Sequence, residues 1–299
     1  YTPMKQTIFK GSGVAIITPM LEDGSVNYPV LKELLEQQIA GGTDAIVICG
    51  TTGEASALND TEHLDVIEFA CATVNRRLPV IAGTGSNDTR HAVALSREAK
   101  SRGADALLQV TPYYNKPSQE GLYQHFRTVS EHSPLPVILY NIPGRSGVNM
   151  TAETTLRCAA DFRNVIGIKE ASGDIGQMQR ILDNRPEGFL VLSGDDGMAI
   201  ELMRRGGDGV ISVAANAFPQ RFMECVNHAK AGDFDAAEKA YAALDEAVHA
   251  LFEEGNPVGV KCALSVMGRI GDTMRLPLVA GSGKLRAKFE ELIARYDLR

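Results

Sequence analysis

Eight short apolar runs punctuate the first two-thirds of the chain: Val14–Ile17, Ala45–Cys49, Val80–Ala82, Ala106–Val110, Val137–Tyr140, Val165–Ile168, Leu190–Leu192 and Val210–Val213. Each has the length and the β-branched or aliphatic character of a buried strand. The segments between them carry helical periodicity. Tyr28–Ala40 sets Val30, Leu31, Leu34, Leu35 and Ile39 on one side, and Thr61–Val74 does the same with Leu64, Ile67 and Ala70. Strand then helix, eight times over, is a parallel α/β pattern, and eight is the number at which such a sheet closes into a (β/α)8 TIM barrel. Turn signals agree. Gly41-Gly42, Gly103, Gly206-Gly207 and Gly209 stand just before strands, where helix ends call for a left-handed residue, and Asp60, Asp88 and Thr151 are placed to cap helix starts.

After Val213 no further strand is evident, and Gln220–Ala231, Phe234–Glu254, Val258–Met267 and Lys284–Arg295 read as helices. The barrel, residues 9–231, therefore carries a C-terminal helical domain over residues 232–299, with Asp233 capping the first helix beyond the boundary. No linker or low-complexity stretch separates the two, and the tail is expected to pack on the barrel or on another subunit. Tyr1-Thr2-Pro3, ahead of Met4, read as a cloning remnant.

Charge and cysteine usage narrow the function class. Among 299 residues, 44% are hydrophobic and 22% charged, enough for the core of one large soluble barrel. A net charge of -7 with scattered Lys and Arg offers neither a basic stripe for nucleic acid nor a basic amphipathic face for a membrane. No apolar stretch approaches the roughly 18 residues of a membrane span. Cys49, Cys71, Cys158, Cys225 and Cys262 are odd in number and widely spaced, with no Cys-x-x-Cys pair and no secretory leader ahead of them, so they are expected to be reduced core residues of a cytoplasmic protein. Small-molecule chemistry is the class that remains.

In this fold the active site lies at the C-terminal mouth of the strands, so the residues that end each run carry the functional information. They are Thr18-Pro19, Gly50-Thr51-Thr52-Gly53-Glu54, Gly83-Thr84-Gly85, Thr111-Pro112-Tyr113-Tyr114-Asn115, Tyr140-Asn141-Ile142-Pro143-Gly144-Arg145, Lys169-Glu170, Ser193-Gly194-Asp195 and Ser212. Hydroxyls dominate, with one lysine and one arginine. Such a mouth relays protons and holds a carboxylate but is poor in ligands for a transition metal. His63, His91, His125, His132, His228 and His249 all fall in predicted helices, which disfavours a zinc-dependent aldolase.

Each of these residues has two readings. Lys169, held among Ile166, Ile168 and backbone, is penalised as an ammonium and becomes a nucleophilic amine for Schiff-base chemistry, or it snorkels to solvent from the strand end. Thr51-Thr52 satisfies a turn or lines the mouth. Tyr140 is a proton relay or a rim tyrosine, and Arg145, on a loop after Pro143-Gly144, binds a carboxylate bidentately or lies on the surface. Asp195-Asp196 fits helix-start caps better than a cation site. Gly83-Thr84-Gly85-Ser86 lacks the third glycine of a dinucleotide fingerprint, and Gly281-Ser282-Gly283-Lys284 lacks the spacing and preceding strand of a P-loop.

Four motifs, Gly50-Thr51-Thr52-Gly53-Glu54, Thr111-Pro112-Tyr113-Tyr114-Asn115-Lys116-Pro117, Tyr140-Asn141-Ile142-Pro143-Gly144-Arg145 and Gly167-Ile168-Lys169-Glu170, stand in a familiar order and spacing. From about Phe9 to its C-terminus the chain resembles the 4-hydroxy-tetrahydrodipicolinate synthase (dihydrodipicolinate synthase) family of the pyruvate-dependent N-acetylneuraminate lyase superfamily. The resemblance places the family's Schiff-base lysine on Lys169, its proton-donating tyrosine on Tyr140, its relay threonine on Thr51 and the relay tyrosine lent by a neighbouring subunit on Tyr114. Thr52 and the backbone of Ile211 match positions that hold the pyruvate carboxylate. Arg145 matches the arginine that holds the carboxylate of aspartate semialdehyde, a residue that sialate lyases do not usually carry.

The resemblance thus implies a lyase that condenses pyruvate with L-aspartate 4-semialdehyde to 4-hydroxy-tetrahydrodipicolinate, the first committed step of the diaminopimelate and lysine pathway. It further implies no metal and no cofactor beyond the covalent Schiff base, and a cytoplasmic homotetramer of tight dimers with neither nucleic acid nor membrane as partner. Three other readings are open. A Schiff-base lyase acting on a sugar acid is opposed by Arg145, and a catalytically silent pyruvate-binding barrel need not keep the whole hydroxyl relay. A phosphate-binding isomerase would want a glycine-rich anion site where Ser193-Gly194-Asp195-Asp196 puts two carboxylates. Gly259 stands where the family often has a second proline, and Ala55 where it often has serine. The family's feedback site for L-lysine falls on Ala55, Ser56, Asp60, His63, Asn87, His91 and Tyr113. His91 replaces the glutamate of lysine-sensitive members, so inhibition is expected to be weak or absent.

Overall fold

The computed structural model describes residues 5–299, and Tyr1-Thr2-Pro3 lie outside the described residues. All eight expected strands form: β1 (Gly11–Ala15), β2 (Ala45–Ile48), β3 (Val80–Gly83), β4 (Ala106–Val110), β5 (Val137–Asn141), β6 (Val165–Glu170), β7 (Leu190–Ser193) and β8 (Gly209–Ser212). They pair in parallel and in sequence order, and β8 closes on β1. The barrel helices are α1 (Tyr28–Ala40), α2 (Asp60–Val74), α3 (Thr89–Ser101), α4 (Gln119–His132), α5 (Pro143–Ser146), α6 (Ala152–Asp161), α7 (Ile175–Asn184), α8 (Ala199–Arg204) and α9 (Pro219–Lys230). The chain ends in α10 (Phe234–Ala242), α11 (Asp245–Phe252), α12 (Val258–Val266) and α13 (Gly283–Tyr296).

Strand residues alternate between two apolar cores, as their pleat requires. Ala45, Val47, Ile81, Leu108, Ile138 and Leu192 fill the barrel. Ile46, Ile48, Leu107 and Leu139 face outward into a layer shared with Leu31, Leu35 and Phe126 of the helices. That outer layer continues through Leu244, Leu251, Leu264 and Phe289, so the tail packs on the barrel.

Several boundaries differ from the sequence reading. β1 starts upstream of the Val14–Ile17 run because Gly11-Ser12-Gly13 pairs with β8. Gly209 has φ +152, and a Cβ there would lie 2.0 Å from the Gly11 carbonyl oxygen, so the two strands meet where only glycine fits and no apolar signal marks the pairing. Asp60 does not cap α2. Asn59 does, its side chain accepting from the Glu62 N–H (2.9 Å) while the Glu62 carboxylate accepts from the Asn59 N–H (3.0 Å). Asp88, Thr151 and Asp233 cap their helices as expected. The periodicity predicts one helix over Phe234–Glu254, yet the chain breaks at Ala243-Leu244, where the Leu244 N–H turns to the Tyr241 carbonyl (2.8 Å) and the Leu244 side chain enters the core. Four cysteines are buried, Cys71 is half-buried, and all five are free thiols.

Candidate active site

A regular strand cannot turn both Ile166 and Lys169 inward, because residues three apart face opposite ways. β6 solves this with a register shift, Val137 pairing with Val165 while Ile138 pairs with Gly167. Ile166 then lies in the barrel core, Ile168 turns to the helices, and Lys169 turns inward again. The amine is therefore not flanked by both isoleucines. Gly167 makes the shift feasible: a Cβ there would lie 2.7 Å from Leu190 Cβ. Tyr140 and Lys169 are register partners, and the Lys169 Nζ sits 4.0 Å from the Tyr140 ring centroid. Both are buried, at 6% exposure for Lys169 and 5% for Tyr140. No hydrogen bond or ion pair engages Nζ among the described residues, which leaves the nitrogen free to attack a carbonyl.

Space around the lysine stem is set by Gly194, the residue after β7. A Cβ on Gly194 would lie 3.2 Å from Lys169 Cε and 2.7 Å from Ala171 Cβ. Behind the barrel wall, Glu170 faces the helices and accepts from Asn141 Nδ2 (3.0 Å), Gln177 Nε2 (3.1 Å) and the Ser172 N–H (2.9 Å). Burial nevertheless pushes its carboxyl above the usual carboxylate range. This network pins β5 to β6 next to the Tyr140–Lys169 pair.

Thr51, Tyr113, Tyr114, Tyr140 and Arg145 share one cleft of about 990 Å³ that runs on to Ser56, Asp60, His63 and His91. Thr51 is exposed at its turn, while Thr52 is buried. Tyr114 stands 88% exposed with φ +73, and no hydrogen bond joins Tyr140 to Thr51 or Tyr114 among the described residues. Arg145 lies on the single turn of α5 rather than on a loop, because Pro143 starts a helix readily and Gly147 ends it. Its Nη2 donates to the Asn256 carbonyl (2.8 Å), and no carboxylate pairs with it among the described residues. Ile211 sits in the barrel lining on β8.

Asp195 caps a short turn, accepting from the Gly197 N–H (2.8 Å). Asp196 is buried and accepts from Ser212 Oγ and from the N–H groups of Val213 (3.1 Å) and Ala214 (3.1 Å), which ties β7 to β8. Burial pushes its carboxyl up to about 6. Ser282 caps α13, which accounts for the Gly281–Lys284 motif. Among the described residues no three His, Cys, Asp or Glu side chains converge as a metal-binding group.

Residues 8–296 match the model of the dihydrodipicolinate synthetase family. The chain belongs to this family. It is 47% identical over 290 residues to the 4-hydroxy-tetrahydrodipicolinate synthase of Parabacteroides distasonis, covering 97% of this chain and 98% of that one. It is 49% identical over 284 residues to that of Neisseria gonorrhoeae, with 94% and 97% covered. The dihydrodipicolinate synthase of Acinetobacter baumannii, solved in complex with pyruvate, has a TM-score of 0.95 at 45% identity, covering 98% of this chain and all of that one (100%).

Three features of this family member carry no pattern that sequence reading could catch. Gly194 matters for the side chain it lacks. Glu54, left-handed at φ +55, forms a buried ion pair with Lys261 of α12 (2.5 Å), which anchors the Thr51-Thr52 turn to the tail. Burial lowers the Lys261 pKa against the pull of Glu54. Asn256 Nδ2 donates to Thr52 Oγ1 (2.9 Å), a contact spanning 204 positions of sequence.

Proposed function

We propose that this chain condenses pyruvate with L-aspartate 4-semialdehyde to 4-hydroxy-tetrahydrodipicolinate, in the diaminopimelate and lysine pathway, through a Schiff base on Lys169. The observation that carries the reading is the buried Lys169 amine beside the Tyr140 ring, unpaired among the described residues. Lys169 Nζ attacks the pyruvate ketone, the carbinolamine loses water, and the imine gives up a methyl proton to become an enamine. Tyr140 moves these protons. The enamine carbon adds to the aldehyde, whose oxygen takes up a proton. The substrate's amino group then attacks the imine carbon and expels Lys169 as the ring closes. Thr52 and the backbone of Ile211 hold the pyruvate carboxylate, and Arg145, which has no carboxylate partner among the described residues, holds that of the semialdehyde.

Thr51 and Tyr114 complete the proton path to solvent. The exposed ring of Tyr114 supports a reading in which it is lent to a neighbouring subunit, within a cytoplasmic homotetramer built from tight dimers. No helix among the described residues is long and apolar enough to cross a membrane. The step requires neither a metal nor a further cofactor. The purified protein should consume pyruvate and L-aspartate 4-semialdehyde in equal amounts and leave a neutral aldose untouched. Condensation with the aldose and not with the semialdehyde would reassign the chain to sugar-acid chemistry.

A further inference from the structure

Thr52 reaches the site with its hydroxyl already engaged from behind. A threonine hydroxyl has one proton to give and lone pairs to accept with. Here Oγ1 accepts from Asn256 Nδ2 (2.9 Å), and among the described residues nothing takes the Thr52 proton. The amide donor therefore fixes the polarity of the hydroxyl: lone pair toward the tail, proton toward the site. Asn256 is only 9% exposed, and its Oδ1 is buried with no partner among the described residues. The residue's backbone is held independently, because its carbonyl accepts from Arg145 Nη2 (2.8 Å).

We propose that Asn256, supplied by the C-terminal helical segment, is a positioning residue that holds Thr52 as a hydrogen-bond donor to the carboxylate of pyruvate. The inference rests on the reading of Thr52 as a pyruvate-binding residue. A side chain that merely fills space would act by shape, whereas this role depends on which atom carries the hydrogens. Aspartate and asparagine have nearly the same shape and opposite polarity at this position. An ionised aspartate only accepts, so it would take the Thr52 proton and turn it away from the substrate.

The test is the pyruvate concentration that half-saturates borohydride-trapped adduct in the wild type, Asn256→Ala, Asn256→Asp and each variant combined with Thr52→Val, with near-ultraviolet circular dichroism as the check on folding. Asn256→Ala should raise that concentration about tenfold, the worth of one net hydrogen bond. Asn256→Asp should raise it further. KM for the semialdehyde should stay within about twofold in the alanine variant, because the backbone contact to Arg145 survives, and in the Thr52→Val background either change should add less than about twofold. Recovery of wild-type half-saturation by aspartate would overturn the proposal, as would full additivity with Thr52→Val. If the wild type forms no adduct, the reading of the site fails and the proposal falls with it; a normal wild-type adduct with unchanged variants sinks the proposal alone.

Discussion

Replacing Gly194 with alanine tests whether the room beside Lys169 is what lets the amine act. The added methyl would lie 2.7 Å from Ala171 Cβ, 3.2 Å from Lys169 Cε and 3.3 Å from Lys169 Cγ. Non-bonded carbons settle at about 3.5–4.0 Å, so all three contacts are too short, that with Ala171 by roughly 1 Å. The backbone has little freedom to retreat. The Gly194 N–H is tied to the Glu170 carbonyl (2.8 Å), and the Ala171 N–H to the Asn141 carbonyl (2.8 Å). A small backbone shift must relieve the Ala171 contact, and the flexible lysine stem gives way at the other two, which moves Nζ from its place 4.0 Å from the Tyr140 ring centroid. Overpacking of this kind costs about 1–3 kcal/mol, and if the cost falls on the attack geometry the rate of imine formation drops about 5- to 150-fold. Single-turnover trapping with pyruvate and borohydride, quenched at intervals, reads that rate directly, with the thermal midpoint as a control for folding. Trapping at the wild-type rate in a folded Gly194→Ala protein would refute the steric reasoning.

Arg145→Ala should raise KM for aspartate semialdehyde by an amount matching about 1.5–3 kcal/mol while the pyruvate adduct still forms, and loss of the adduct with normal semialdehyde use would invert the assignment of the two carboxylate sites. Glu62, bound by Arg275 at 2.6 and 2.9 Å, is pushed down to about 2, chiefly by that guanidinium. Because its folded pKa is depressed, its stabilisation is complete above the unfolded value near 4.5 and is lost as the pH falls toward 2. With the Glu62 side chain 31% exposed, screening cuts the effect to about 1–2 kcal/mol. Urea unfolding should therefore show Glu62→Gln less stable at pH 7, with the gap closing as the pH falls from about 4.5 toward 2; a gap that stays constant contradicts the ion pair's role. L-lysine should inhibit weakly, because the Asp60 carboxylate that faces the His91 ring is already engaged: His91 Nε2 lies 3.0 Å from Asp60 Oδ1 and Nδ1 lies 3.0 Å from Ser86 Oγ. Initial rates that collapse at submillimolar lysine would show that the cleft offers the amine another partner.

The barrel is legible in the sequence because its eight apolar runs and amphipathic helices are local patterns with fixed periods. What escapes is non-local. The start of β1 is invisible because the Gly11–Gly209 approach needs an absence of side chains, and the break at Leu244 carries no glycine or proline to announce it. At the site, Lys169 stands out as a charge at the end of an apolar strand, yet its inward turn depends on a register shift that alternation alone misassigns. Arg145 and Tyr114 are legible as motif residues. Their environment is not: the backbone acceptor for Arg145 lies 111 positions away. Asn256 looks like a turn residue before proline until the fold brings it beside Thr52.

The Schiff base on Lys169 is tested most directly by mass spectrometry of peptides after borohydride reduction in the presence of pyruvate. The reduced pyruvate adduct should map to the peptide carrying Lys169 and vanish in Lys169→Ala, which keeps its fold because removing the buried amine also removes the cost of burying it. An adduct on another lysine, or one of undiminished yield in the Lys169→Ala protein, would contradict it.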